Sequence, residues 1–209
     1  MEAVAWWADL PHSDLPVSTS PVLTMFGWTW NDGLDDEERN QLRQYVPRLY
    51  GTADAEKAEE GRAWLALDWL ARVAAPAWLT AAGFDVEAGW LSGLPEVTAR
   101  TGGGAIRTVQ KACRSVGLVT AQRMSPTEKK ATLSTVWVGL RRSGVTAAEA
   151  AGTTPTNRTS HRLRLGAGGT LACRMAATML VWSGTDLQPT VSLLQPSAHD
   201  LFDRMILHS

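Results

Sequence analysis

The chain is poor in cysteine. Cys113 and Cys173 are the only two among 209 residues, enough for one bridge, so a secreted cysteine framework and an all-cysteine zinc site are both excluded. Histidine is scarce as well. His12, His161, His199 and His208 include no i, i+4 pair, and a His-based metal site would have to be gathered from distant segments. No apolar run approaches the roughly 20 residues of a membrane span. The opening MEAVAWWADLPHSD lacks the basic leader of a signal peptide, which predicts a cytoplasmic setting. G-x-S-x-G, H-E-x-x-H, the Walker lysine loop and C-x-x-C are all missing. The run GAGGTL at 166–171 has the first two glycines of a dinucleotide fingerprint, but its sixth residue is Leu171, so no cofactor follows from it.

What is present is an ordinary globular balance, with 44% hydrophobic and 20% charged residues. The length suits one domain, and we expect it over 20–209 behind an extended arm, 1–19, that holds Pro11 and Pro16. The net charge of -1 conceals a dipole. Residues 1–99 carry 6 Lys/Arg against 16 Asp/Glu, residues 100–165 carry 12 against 2, and residues 166–209 carry 2 against 3. Either the acidic half neutralises the basic segment internally, or the segment faces an acidic partner. Tryptophan is the other excess: ten of the aromatics are Trp against two Tyr and three Phe, and eight of the ten precede residue 91. At helical spacing they read as core. Trp6 and Trp7 are adjacent and outside any period, which makes them candidate anchors for a partner.

The pattern is helical throughout. Ser20-Pro21 starts a helix with Leu23, Phe26 and Trp30 on one face, and Asn31-Asp32-Gly33 ends it. Asp35 to Glu38 open the next with a capping box, followed by the stripe Leu42, Tyr45, Val46, Leu49; Pro47 should kink or end it. Residues 56–75 form the central helix, since Trp64, Leu65, Leu67, Trp69, Leu70 and Val73 cover nearly its whole circumference. Asp68 and Arg72 make an i, i+4 pair on its polar seam, and Pro76 is expected to break it. A short helix is expected over 86–91, one over 105–116 after a glycine run, and one from Ser125-Pro126. At the C-terminal end, Pro196-Ser197 should interrupt a helix that restarts with His199 and Asp200 at its cap. The fold class predicted is all-α: an irregular bundle of six to eight helices around 56–75, with an acidic half (20–99), a basic segment (100–165) and C-terminal helices (166–209).

TWNDGLDDEERNQLRQYVPRLYGT (29–52), RAWLALDWLARVAAPAWLTAAG (62–83) and SLLQPSAHDLFDRMI (192–206) resemble a group of uncharacterised actinobacterial helical proteins, over about 20–90 and 190–207. The resemblance implies a helical build and no site residues. The middle departs from that group, being basic where its members are alanine-rich.

Three functional expectations follow. The leading one is a non-catalytic helical protein that binds another macromolecule, a protein partner or a second copy of itself, away from membranes. The alternative is a nucleic-acid-binding protein using 100–164. There Arg107, Lys111 and Arg114 share a helix face at i, i+4, i+7. Residues 143–163 could fold as a helix-turn-helix with Asn157, Arg158 and Arg162 as base or phosphate ligands, and with Arg164 beside them. The third is an enzyme of unrecognised type, with no catalytic residue, metal or cofactor assigned.

Overall fold

A computed structural model describes residues 8–9, 18–32, 34–53, 56–123 and 188–208. Every regular element among them is helical. Helix α1 (Pro21–Asn31) starts where its cap demands: Ser20 Oγ accepts from the Leu23 N–H at 3.1 Å, and Pro21 occupies the first position, where no N–H is needed. In α2 (Asp36–Gln41) the cap is Asp35, whose Oδ1 accepts from the Glu38 N–H at 2.8 Å. A 3-10 turn, Leu42–Tyr45, leads directly into α3 (Val46–Leu49). Pro47 therefore lies inside a continuous rod whose preceding turn has tightened, rather than at its end.

Next comes α4 (Glu56–Trp69), a π turn (Leu70–Ala74) and α5 (Ala75–Ala81), fused into one rod. The expected break at Pro76 does not occur. The Ala75 N–H reaches back to Leu70 O, widening the turn just ahead of the proline ring, so the ring is accommodated and the rod continues. Short α6 (Asp85–Ser92) precedes α7 (Gly102–Arg123), which begins three residues earlier than the sequence suggests and takes the glycine run as its first turn. A Cβ on Gly102 would stand 2.9 Å from the Trp64 ring, so the approach of α7 to α4 requires a residue without one. The last element, α8 (Gln188–Leu207), passes straight through Pro196. Val191 and Leu194 before the proline, and Ala198, Leu201, Phe202 and Met205 after it, are buried in one core, and their packing overrides the local preference to stop.

The central rod serves two cores. Ala66, Trp69, Leu70, Ala74 and Trp78 face α1, the α2–α3 rod and α8. Ala75 and Leu79 face α6 and α7, where they meet Leu91, Val109, Ala112 and Val116. A helix between two cores is apolar nearly all round, which is the pattern its sequence shows. Two of the three buried core indoles find acceptors: Trp30 Nε1 donates to Gln195 Oε1 at 3.0 Å and Trp69 Nε1 to Ser197 Oγ at 3.0 Å, whereas Trp78 Nε1 meets none among the described residues.

Two buried charges tie the rod to its surroundings. Arg62, fully buried, donates to the carbonyls of Met205 and Thr52, both at 2.9 Å, and pairs with Glu59 at 2.8 Å. Asp68 pairs with Arg72 at 3.0 Å and accepts from the Val97 N–H at 2.7 Å, pinning the segment that leads into α7. No described helix is long and apolar enough to cross a membrane.

Candidate functional site

The sequence singles out one face of α7, and the structure places it. Ala105, Val109, Ala112 and Val116 are buried on one side. Arg107, Lys111 and Arg114 are exposed on the other, with Gln110 and Leu118 beside them. At 3.6 residues per turn the three cations fall within an arc of about 60°, and Arg107 and Arg114 lie about 10 Å apart along the axis. No Asp or Glu occurs from Val97 to Thr127. Lys111 Nζ sits 3.7 Å from the centroid of the Trp90 ring, a cation–π contact that orients its ammonium group against α6.

Several described carboxylates are engaged elsewhere. Glu87 accepts from the Ser115 hydroxyl. Asp36 pairs with Arg39, Asp68 with Arg72, Glu59 with Arg62, Asp203 with Arg48 and Asp200 with Arg204. Among the described residues, none of the ion pairs includes Arg107, Lys111 or Arg114. Asn157, Arg158, Arg162 and Arg164, the helix-turn-helix expected over 143–163, and the candidate anchors Trp6 and Trp7 lie outside the described residues.

A second cluster, which the sequence did not disclose, joins the α2–α3 rod to α8. His199, expected at a helix cap, lies in the middle of α8 instead. Its Nδ1 is 2.8 Å from the Tyr45 hydroxyl, the two rings stack, and the Trp30 indole lies edge-on to the imidazole at 4.7 Å between centroids. Burial pushes the Tyr45 hydroxyl up to about 12, with the Asp203 carboxylate adding to the rise. Burial also lowers the His199 pKa below 6.5, opposed by Asp203. Both shifts favour the neutral forms, so a neutral phenol and a neutral imidazole share this hydrogen bond, and the imidazole tautomer sets which of them donates. The missed signal is the series Gln195, His199, Phe202: a helical face that runs across Pro196 and becomes visible only once the proline is allowed inside the helix.

Beside this cluster a half-open pocket of about 440 Å³ lies between α1, the α2–α3 rod and α8. Gly27, Leu42, Tyr45, Val46, Leu49 and Phe202 form its apolar part. Asn31, Asp36, Arg39, Asn40 and Arg43 form its polar part, which is the end near the α1–α2 junction. Arg39 is committed to the fold: it donates to Leu34 O at 2.9 Å and Asn31 O at 3.4 Å and pairs with Asp36 at 3.2 Å. Arg43 is exposed, and no described carboxylate pairs with it.

Chemically, neither cluster holds an activated nucleophile or base. The Tyr45 phenol is harder to ionise than free tyrosine, and burial pushes the Cys113 thiol up to about 11. Among the described residues no three His, Cys, Asp or Glu side chains gather as a metal-ligand set. No family model, no curated protein and no solved structure matches the chain.

Proposed function

We propose that this protein acts by binding another macromolecule, and that the partner is a polyanion, nucleic acid foremost, held on the basic face of α7. The observation that carries the reading is the exposed row Arg107, Lys111, Arg114 on a helix without a single acidic residue, unpaired with any described carboxylate. Had the acidic half neutralised this face, its carboxylates would pair with these cations, and among the described residues none does. The actinobacterial resemblance belongs to the same proposal. Its three segments build the core around Trp30, Trp69 and Phe202, and the basic segment is where this chain departs from that group. A cytoplasmic setting goes with it.

The test is a gel-shift titration at two salt concentrations with duplex DNA, single-stranded DNA and RNA of random sequence. Each phosphate contact contributes about -0.9 to the slope of log affinity against log salt on duplex DNA. Replacing Arg107 and Arg114 together by Ala should therefore flatten the slope by about 1.8. Both side chains are exposed, so the thermal midpoint should stay within about 2 °C of the parent protein. The absence of any shift at low salt with all three probes would eliminate the reading.

A further inference from the structure

We propose that the pocket between α1, the α2–α3 rod and α8 is a binding site for a small amphipathic acid, an unbranched medium-chain carboxylate, seated with its tail against Phe202 and Leu49 and its head at Arg43. This site is separate from the α7 face and does not depend on what α7 binds.

Shape and volume come first. About 440 Å³ lies within the range of small-molecule sites, and the pocket is built from three elements fixed by one core rather than from a loop. The Phe202 ring that floors it stacks on Phe26 at 5.5 Å and meets Tyr45 and Trp30 edge-on, so the floor is rigid. Gly27 keeps it open, because a side chain there would begin 3.4 Å from the Phe202 ring and project into the space.

Polarity then selects the ligand. The apolar residues collect towards Leu49 and the polar ones towards the α1–α2 junction, so an occupant must be apolar at one end and polar at the other. At the polar end Asp36 and Arg39 cancel each other in their ion pair. Arg43 is left as the uncompensated charge, and the amides of Asn31 and Asn40 line the same pocket. A planar guanidinium and two amide NH2 groups match a carboxylate, and the unpaired guanidinium repels an ammonium group. Tyr45 contributes only its ring, because its hydroxyl is held by His199.

The experiment is calorimetric titration of the whole protein with decanoate, below the concentration at which it forms micelles, and with decanol as the uncharged match. Expected are one saturable site for decanoate, a negative heat-capacity change on binding, and decanol weaker by about fivefold, the value of one partly exposed ion pair. Arg43→Gln, at an exposed position, should keep decanol binding and reduce the preference for decanoate towards unity. Gly27→Leu should abolish binding of both, and circular dichroism reports whether it is folded. If it is not, Gly27→Ala, a smaller intrusion, should weaken both ligands equally. No saturable binding of either ligand, a parent protein that does not prefer decanoate, or an unchanged preference in Arg43→Gln would each overturn the site.

Discussion

At Tyr45 a single hydroxyl is coupled to the state of the ring it touches. The phenol and His199 Nδ1 share a hydrogen bond in a half-buried setting that favours the neutral imidazole. Burial has lowered the His199 pKa below its ordinary 6.5, so above that value the contact is fully present. As the pH falls, the unfolded chain takes up the proton first, and the stability contributed by the neutral imidazole is lost as the pH drops through the folded-state pKa. The difference in thermal midpoint between the parent protein and His199→Gln should thus be largest at pH 7 and shrink towards pH 5. A difference independent of pH would show that the ring is not held neutral. Tyr45→Phe should cost about 1–2 kcal/mol at neutral pH, because it leaves a half-buried imidazole nitrogen without its hydrogen-bond partner. That corresponds to a midpoint lower by roughly 2–8 °C for a chain of this size.

At the scale of elements, glycines and prolines separate what the sequence tells from what it hides. The caps at Ser20 and Asp35 were legible, since a cap is made by neighbours in the chain. So was the central rod, whose apolar circumference is written into its own residues. The basic face of α7 was equally readable from spacing alone. Pro76, Pro196 and the glycine run misled for the opposite reason: each is a local stop signal overruled by contacts far along the chain. Pro196 survives within α8 because six buried side chains hold the two halves in line, and it still leaves one helical hydrogen bond unmade. Pro196→Ala should therefore stabilise the protein, by up to about 3 kcal/mol, read from chemical denaturation. Two glycines give opposite expectations. Gly102→Ala should destabilise, since the new methyl meets the half-buried Trp64 ring of α4 at 2.9 Å. Gly61→Ala meets the His208 imidazole, but that side chain is exposed and can swing into water. The helical gain of about 1 kcal/mol should then prevail.

For the whole molecule the deciding residue is Arg62. One guanidinium joins the central rod to the Thr52 turn and to α8, while its partner Glu59 also accepts from the Val22 N–H of α1 at 3.3 Å. No sequence rule points to it, because its acceptors are two backbone carbonyls brought together by the fold. Arg62→Met should cost about 3–5 kcal/mol by stranding the half-buried Glu59 carboxylate and both carbonyls, and Arg62→Lys should rescue little, since an ammonium group lacks the fork that reaches two carbonyls at once. Equilibrium denaturation followed by fluorescence measures both. The central rod, meanwhile, is shared property: α1, the α2–α3 rod and α8 lean on one side of it, α6 and α7 on the other. Amide hydrogen exchange should record that division as two clocks. The amides of α6 and α7 can trade their protons for deuterons when their own side peels away. Those of Trp69 to Ala74 must wait until both sides have let go, and they should set the slowest rate among the described helices.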